Sequence, residues 1–276
     1  MNPFERAIAH VDARSAGPAL DPALRVTLNF HPDRATNGVP ILAALARERV
    51  YSSQFVTGTS NGGLTAYPGG DRWKWESRIF GGAYDGAEPR FRPVYGGLNY
   101  RKRSYGSAPR FGSAHFRLTA EAAARATFCY PDSAADPEHF GTAHRMGLIP
   151  IALADPDQQN LNDYIEAHIH GPVRIDGDVE ALVLDPCYRG TDVEVAAEML
   201  PCDVEWHPGF LLRAEAMAAH PDFRSPEIVE LGRQIAEDGW IDPRIIGAAV
   251  ATGEHEPQAL KYVWHYLAKF GAPARF

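Results

Sequence analysis

The sequence predicts a mixed α+β fold, in which a β-rich core is followed by a helical tail. Short strand-like segments recur between residues 25 and 184, whereas three proline-initiated helical segments follow residue 211. The 25 glycines and 22 prolines among 276 residues exceed ordinary usage and favour a core with many loops. We therefore expect two parts, a core over residues 1–210 and a helical subdomain over residues 211–276.

The first elements are predicted from hydrophobic spacing, which differs between helices and strands. The first strand should end at His31-Pro32, because proline cannot donate a hydrogen bond to the strand ladder. Pro40 suits the start of the next helix, where no backbone hydrogen bond is lost. The predicted elements are a helix at 4–13, a strand at 25–30, a helix at 41–49, a strand at 50–57 and a glycine-rich loop at 58–63.

The later strands are expected at 94–100, 113–118, 164–170 and 181–184, and the tail helices at 226–238, 244–251 and 258–270. Ser225 is the expected N-cap of the first tail helix, with Pro226 in its first turn. Asp242-Pro243 and Glu256-Pro257 repeat this pattern before the other two helices. The tail should therefore form a small helical bundle appended to the β-rich core.

The charge of the chain is unevenly distributed. A formal net charge of −8 disfavours a nucleic-acid binder that covers phosphates with lysine and arginine. Residues 51–115, however, include nine lysines and arginines but only four acidic residues. The same segment contains 12 of the 25 glycines. Backbone amides and guanidinium groups of such a segment can surround a small anion. The sequence thus predicts a cationic site within an acidic protein.

Several other classes of protein are disfavoured. The three cysteines are widely spaced and form no CxxC pair, so neither a zinc ribbon nor a disulfide framework is expected. The start of the chain lacks the features of a classical signal peptide, and no apolar run is long enough to span a membrane. We expect a chain made in the cytoplasm. GxGxxG, P-loop and GxSxG motifs are absent, which disfavours Rossmann oxidoreductases, P-loop NTPases and α/β-hydrolases.

The segment 164–170 is the most informative one for function. On a strand, alternate residues share a face, so the ionisable side chains lie opposite the apolar Ile165, Ala167 and Ile169. The ionisable face consists of Tyr164, Glu166, His168 and His170. One face in an active cleft explains this pattern. His-x-His is also a metal-ligand spacing, so a metal site formed by Glu166, His168 and His170 is an alternative.

Three further segments are candidates for ligand binding. His31 and Arg34 leave the end of the first strand and can bind ribose hydroxyls and a phosphate; a polar surface turn is the simpler alternative. The loop from Gln54 to Gly63 combines polar side chains with glycines and can surround a ligand; a glycine-rich hairpin that binds no ligand is the alternative. Arg110, just before Ser113, can clamp a pyrophosphate with two parallel hydrogen bonds.

Six sequence stretches together resemble a bacterial family long labelled only as a domain of unknown function. They are Leu28-Asn29-Phe30-His31-Pro32-Asp33-Arg34, Ser53-Gln54-Phe55 with Thr57-Gly58-Thr59-Ser60-Asn61-Gly62-Gly63, Gly69-Gly70-Asp71-Arg72, Arg92-Pro93-Val94-Tyr95-Gly96, Arg110-Phe111-Gly112-Ser113 and Glu166-Ala167-His168-Ile169-His170-Gly171. The resemblance spans about residues 25 to 190. The family that these stretches resemble includes type III effectors, which are mono-ADP-ribosyltransferases that modify a threonine of host ubiquitin.

This resemblance implies a split β-sheet core with an NAD cleft. In the general ADP-ribosyltransferase plan, His31 or Arg34 would be the first functional residue, Tyr95 or Ser113 the second and Glu166 the third. We take Glu166, Tyr95 and His31 as the catalytic candidates. The NAD-binding candidates are His31, Arg34, Gln54, Thr57, Thr59, Ser60, Asn61, Gly62, Arg72, Tyr95, Arg110, Phe111, Gly112 and Ser113.

The expected reaction is transfer of ADP-ribose from NAD to a protein hydroxyl group. Arginine-modifying members of the larger group carry Glu or Gln two residues before the catalytic Glu, whereas this chain has Tyr164 there. This difference disfavours an arginine acceptor and favours a hydroxyl acceptor such as threonine or serine. The resemblance to the effectors implies threonine, with ubiquitin as the partner. NAD is expected as a substrate, and neither a metal, a nucleic acid nor a membrane is expected to bind.

The resemblance further implies export into host cells as an effector or toxin. Two alternatives remain open. One is a metal-dependent hydrolase that uses His168 and His170, and the other is a non-enzymatic effector module that binds a partner.

Overall fold

A computed structural model describes residues 2–36, 38–58, 65–156 and 161–273. Within these ranges the strands are β1 (Val26–Phe30), β2 (Ala35–Thr36), β3 (Val39–Pro40), β4 (Val50–Tyr51), β5 (Val94–Leu98), β6 (Ala114–Leu118), β7 (Ala126–Tyr130), β8 (His139–Thr142), β9 (Ile165–Ile169), β10 (Val173–Arg174), β11 (Val179–Leu184), β12 (Asp203–Trp206), β13 (Leu212–Arg213) and β14 (Trp240–Ile241). The α-helices are α1 (Pro3–Asp12), α2 (Ile41–Glu48), α3 (Gln54–Thr57), α4 (Asp71–Ile79), α5 (Ala120–Ala124), α6 (Leu148–Ala154), α7 (Ile175–Asp178), α8 (Asp192–Ala197), α9 (Ala214–Met217), α10 (Pro226–Ile235), α11 (Pro243–Thr252) and α12 (Pro257–Phe270).

The centre of the molecule is an eight-stranded mixed sheet with the strand order β12-β11-β6-β1-β5-β9-β7-β8. Neighbouring strands are antiparallel except β11 and β12, which are parallel. One face packs into the main hydrophobic core, to which β9 contributes Ile165, Ala167 and Ile169. The alternation predicted for 164–170 is therefore confirmed, because Glu166 and His168 project from the other face of the same strand.

The sheet forks between β1 and β5. These strands pair only through Val26 with Leu98 and Thr27 with Gly97, although β1 runs on to Phe30 and β5 begins at Val94. The resemblance implied a split sheet; the eight longer strands instead form one sheet, joined at the base of this fork and open above it. An opening between strands exposes both backbones and the side chains between them, which is where a ligand can enter.

The observed secondary structure differs from the prediction in three segments where the hydrophobic pattern along the sequence is weak or ambiguous. Residues 50–57 were predicted as one strand, but only Val50–Tyr51 is a strand and Gln54–Thr57 is a helical turn. The hydrophobic spacing predicts no helix or strand at residues 71–79, yet they form α4. Its two tryptophans alternate with charged residues and hide the helical period. Strand β7 was missed because its residues are all buried and show no alternation.

The tail contains the three predicted helices as α10, α11 and α12, together with the short helix α9 and the antiparallel strand pair β13 and β14. Asp242 caps α11 by accepting a hydrogen bond from the Ile245 amide at 2.8 Å. Ser225 stands at the N-cap of α10 but makes no capping hydrogen bond with its side chain. The tail has its own hydrophobic cluster, which also includes Tyr105 and Leu161 of the preceding part. The division at residue 210 stays a prediction.

None of the helices formed by the described residues combines the length and the apolar character needed to cross a membrane.

Candidate active site

The fork between β1 and β5 opens into a cavity of about 570 Å³, which we call the Glu166 cavity. This volume lies within the range typical of small-molecule and cofactor sites. Both edges of the fork line it, with Asn29 and Phe30 from β1 and Tyr95 and Gly96 from β5. Of the predicted residues, the lining includes Arg34, Gln54, Thr57, Arg72, Tyr95, Phe111 and Glu166.

Glu166 reaches this cavity from the polar face of β9. Its Oε1 atom accepts hydrogen bonds from three groups: His168 Nε2 at 2.9 Å, the Ser133 amide at 3.2 Å and the Cys129 thiol at 3.7 Å. The other oxygen, Oε2, has no hydrogen-bond partner in the described parts of the chain. The residue is 7 % exposed. One oxygen is thus fixed by the protein, and the other is available to a ligand.

Two opposing effects determine the pKa of the Glu166 carboxyl group. Burial raises the pKa, whereas the hydrogen bond and charge of His168, the charge of Arg72 and the Ser133 amide lower it. The lowering effects prevail, so the pKa lies below its ordinary value. The side chain is therefore a carboxylate at neutral pH. A fixed, buried carboxylate can stabilise a developing positive charge.

Arg72 supplies a cation to the same cavity. It lies on α4, is 9 % exposed, and its guanidinium carbon stands 4.2 Å from the centre of the Tyr95 ring. Its Nε and Nη1 atoms are buried and have no hydrogen-bond partner among the described residues. Although burial lowers the pKa of Arg72, the nearby Tyr95, Glu166 and Glu76 raise it above its ordinary value. A charged guanidinium group with unused donors favours an anionic ligand.

Tyr95 is held by a second carboxylate that the sequence did not single out. Its hydroxyl donates to Glu76 Oε1 at 3.2 Å, and Arg92 Nη1 donates to Glu76 Oε2 at 2.6 Å. Burial, followed by the charge of Glu76, raises the pKa of Tyr95 well above its ordinary value, so the phenol stays protonated. Glu76 is completely buried. The network therefore fixes the Tyr95 ring beneath Arg72.

Arg34 and Gln54 add to the polar lining of the Glu166 cavity. Arg34 Nη1 and Gln54 Oε1 are buried atoms without a hydrogen-bond partner in the described residues. Because unpartnered buried polar atoms are uncommon in native proteins, these two atoms are candidates for ligand binding. The predicted candidates Thr59, Ser60, Asn61 and Gly62 lie outside the described residues.

His31 is placed against the tail and is not part of the lining of the Glu166 cavity. Its ring packs edge-on against Trp264, with 4.9 Å between the ring centres. Burial, with the charges of Arg34 and His265, holds the pKa of His31 well below its ordinary value. Of the two residues proposed for the first functional position, Arg34 is therefore the one that reaches the cavity.

The segment 110–113 contributes only Phe111 to the Glu166 cavity. Arg110 turns to a separate cleft and donates to Asn162 Oδ1 at 2.8 Å. At Gly112, φ is +156° and an added Cβ would lie 2.0 Å from the carbonyl carbon of Phe30. This glycine is explained by close backbone packing. Ser113 is fully buried, with its hydroxyl 3.4 Å from that of Tyr188.

His168 on β9 and His170 just after it are not open to the cavity. The sequence predicted that the whole row of ionisable side chains lies in a cleft. His168 and His170 are almost completely buried and pack against Phe80. Both ring nitrogens of His170 are used, by Tyr84 Oη at 2.7 Å and Thr127 Oγ1 at 2.9 Å. The predicted metal set thus loses His170.

A different potential metal-binding triad is formed by Cys129, Glu166 and His168, whose ligand atoms lie within 4.8 Å of one another. Burial and the charge of Glu166 raise the pKa of the Cys129 thiol well above its ordinary value. Zinc would have to displace the thiol proton and the hydrogen bonds to Glu166 Oε1.

Most cations of the basic segment 51–115 serve the fold. Arg92 pairs with buried Glu76, Arg101 and Arg103 with Asp163, and Arg78 with Asp136. Arg72 is the cation of this segment that lines the Glu166 cavity. Far fewer cations of this segment reach the cavity than the composition suggested, and the anion site stays a prediction.

Several neighbours of the site were missed by sequence reasoning. Glu76 lies four residues after Arg72, a spacing that places both on one side of α4. Asn29 alternates with Thr27 on β1, which indicates a polar face of that strand. Ser133 carries no local signal, because its amide meets Glu166 only through the fold.

A family model described as a protein of unknown function (DUF3626) matches residues 25–156 and 148–270 of the chain. No curated protein shows a significant match. The family match extends through the Glu166 cavity and most of the tail.

Proposed function

Since the chain belongs to the DUF3626 family, whose function is not established, we propose from its cavity that it is a mono-ADP-ribosyltransferase. It would transfer ADP-ribose from NAD to a protein hydroxyl group and release nicotinamide. The acceptor class, a threonine hydroxyl with ubiquitin as the protein, is supported by the sequence resemblance. Delivery into a host cell as an effector belongs to the same proposal.

The two unequal oxygens of Glu166 carry this proposal. Oε1 is fixed by three donors, whereas Oε2 has no partner in the described residues and belongs to a residue that lines the cavity. A carboxylate placed in this way can accept a hydrogen bond from a ribose hydroxyl. It also stabilises the oxocarbenium-like charge that develops when the bond to nicotinamide breaks.

The reaction balances without a metal or a redox partner. The C–N bond between ribose C1′ and nicotinamide breaks, and its electron pair leaves with neutral nicotinamide. The acceptor oxygen then forms the new C–O bond at C1′, and the hydroxyl proton passes to solvent. His168 is too deeply buried to accept this proton, since it is 0 % exposed and already hydrogen-bonded to Glu166.

The rest of the cavity suits a dinucleotide. The Nε and Nη1 groups of Arg72 and the Nη1 group of Arg34 have no partner in the described part of the chain and can donate to pyrophosphate oxygens. Tyr95, Phe111 and Tyr164 line the same space and offer aromatic surface to the bases. These contacts support NAD as the substrate.

The test is incubation with NAD and ubiquitin, followed by intact-mass analysis of ubiquitin and measurement of free nicotinamide. We expect the mass of one ADP-ribose on the acceptor and an equal amount of nicotinamide. Glu166→Gln should reduce the rate at least about a hundredfold, because it removes the charge that stabilises the transition state. Glu121→Gln, on an exposed position of α5, is the matched control and should retain full activity. Absence of both products, without and with acceptor, would contradict the proposal.

The triad of Cys129, Glu166 and His168 supports a second candidate, a metal-dependent hydrolase. Metal analysis of the purified active protein separates the two functions. A stoichiometric metal, together with activity that chelators remove and zinc restores, would favour the hydrolase. The third alternative is a non-enzymatic binding module. It is favoured if Glu166→Gln changes neither a catalytic property nor partner binding.

A further inference from the structure

A second cleft, of about 510 Å³, lies where the tail meets the core. Arg110 and Arg224 both line it, and we call it the Arg224 cleft. Asn162, Asp222, Phe223 and Lys269 are among its other lining residues. The turn Pro109–Phe111 separates it from the Glu166 cavity, since Phe111 lines that cavity and Arg110 lines this cleft.

The two guanidinium groups are held in place by neutral partners. Arg110 Nη1 donates to the amide oxygen of Asn162 at 2.8 Å, and Arg224 Nη2 lies 2.7 Å from His265 Nδ1. Burial and the charges of Arg224, Arg110 and Lys261 lower the pKa of His265 to about 3, so this ring is neutral. Its Nδ1 therefore accepts the hydrogen bond from Arg224. The guanidinium groups are oriented without being neutralised.

Neither Arg110 nor Arg224 forms an ion pair in the parts of the chain that the structure describes, and the same is true of the nearby Lys261. Burial, Arg110 and Arg224 lower the pKa of Lys261, which shows that these cations repel one another. Many other arginines in the described parts of the chain have carboxylate partners, as Arg92 has Glu76. Fixed cations that repel each other across a cleft indicate a site for an anion.

We propose that the Arg224 cleft binds the phosphoryl or pyrophosphoryl group of a small-molecule ligand, with Arg110 and Arg224 as its main contacts. A guanidinium group matches two phosphate oxygens with parallel hydrogen bonds. Two such groups in one cleft suit a ligand group that carries two or more negative charges. Asp222 lines the same cleft and disfavours weakly charged anions, since they would gain less attraction than they lose by repulsion. This site is separate from the proposed NAD cavity.

The test is titration calorimetry with inorganic pyrophosphate at constant ionic strength. We expect saturable binding by the natural protein, weakened about tenfold or more by Arg110→Gln and by Arg224→Gln. Arg233→Gln is the matched control, because Arg233 lies on neighbouring α10, is exposed, and pairs with Glu230. It should leave the affinity unchanged. Arg72→Gln, in the Glu166 cavity, should also leave this binding unchanged.

Three results would overturn the proposal: no saturable binding, loss of binding in Arg72→Gln but not in Arg224→Gln, or equal affinity for glutarate, which carries two charges but no phosphoryl group. Near-ultraviolet circular dichroism checks that each variant is folded. If Arg224→Gln fails to fold because it leaves His265 without its partner, Arg110→Gln decides the outcome. Its side chain bonds only the Asn162 amide oxygen among the described groups.

Discussion

The charge state of Glu166 links the site to the stability of the protein. Because its pKa in the folded protein lies below the ordinary 4.5, the native state binds fewer protons than the unfolded state in mildly acidic solution. Its stabilising contribution is therefore complete above the unfolded pKa. It is lost as the pH falls through the folded pKa.

Glu166→Gln should remove this dependence on pH. We expect the difference in unfolding free energy between the natural protein and the variant to shrink as the pH falls from about 6 to about 3.5. Urea unfolding, followed by circular dichroism at several pH values, measures it. Parallel curves for the two proteins would contradict the assigned direction of the pKa.

Arg72 offers a different separation of function and stability. Arg72→Gln removes the stacking on Tyr95 and the attraction to Glu166 and Glu76, although Nε and Nη1 make no hydrogen bond to the described residues. We expect the free energy of unfolding to fall by about 1–3 kcal/mol. The Michaelis constant for NAD should rise roughly 10- to 100-fold, because a charge-assisted bond to phosphate contributes about 1.5–3 kcal/mol.

Lys74→Gln provides the control for Arg72→Gln. Lys74 lies on the same helix, but it is exposed and pairs with Asp71 at 3.9 Å. Kinetics with NAD and thermal unfolding should both match the natural protein. A large loss of stability in Arg72→Gln without a change in the Michaelis constant would make Arg72 a structural residue only.

At the level of elements, the close contact between β1 and the turn after Pro109–Phe111 shapes the cavity. Gly112→Ala would place a Cβ 2.0 Å from the Phe30 carbonyl carbon at a φ of +156°. The backbone must move, so we expect a loss of at least about 2 kcal/mol in unfolding free energy. Gly177→Ala is the control, since an added Cβ there meets nothing within 4 Å. Chemical denaturation compares them, and equal stabilities would contradict this packing role.

The alternation of 164–170 shows how far local sequence reaches. It placed Glu166 and His168 on the polar face of β9 correctly, because side chains alternate on any strand. It gave no information on what covers that face. Phe80 and Tyr84, from a distant segment, bury the two histidines and leave Glu166 at the cavity. The exposure of these side chains to the cavity therefore depends on tertiary contacts, which the alternation of residues along one strand does not predict.

The same limit applies to charge across the whole molecule. The basic segment predicted a cationic site, and Arg72 fits that prediction. Arg103 does not, because its guanidinium group is buried against Asp163, about sixty residues further along the chain. Conversely, the Arg224 cleft is lined both by Arg110 of that segment and by Arg224 of the helical tail. Such pairings require the fold, since residues so far apart in sequence show no local relation.

The tail and the core should unfold together rather than as independent units. Trp264 of α12 is 1 % exposed and donates to the carbonyl oxygen of Pro109 at 3.0 Å, next to the cavity residue Phe111. Tyr105 and Leu161 pack within the hydrophobic cluster of the tail. Contacts of this kind couple the two parts, so disruption of one should reach the other.

Ile241→Ala tests this coupling, because Ile241 is completely buried in the tail cluster. The cavity it leaves should cost about 2–5 kcal/mol. In hydrogen exchange measured by mass spectrometry, protection of α12 and of β9 should fall by the same factor if one cooperative unit unfolds. Ala249, on α11 and 8 % exposed, offers a milder tail substitution, Ala249→Gly, whose smaller effect should again be shared. Faster exchange confined to α12 would show that the tail opens alone, and the proposed anion cleft between tail and core would then open with it.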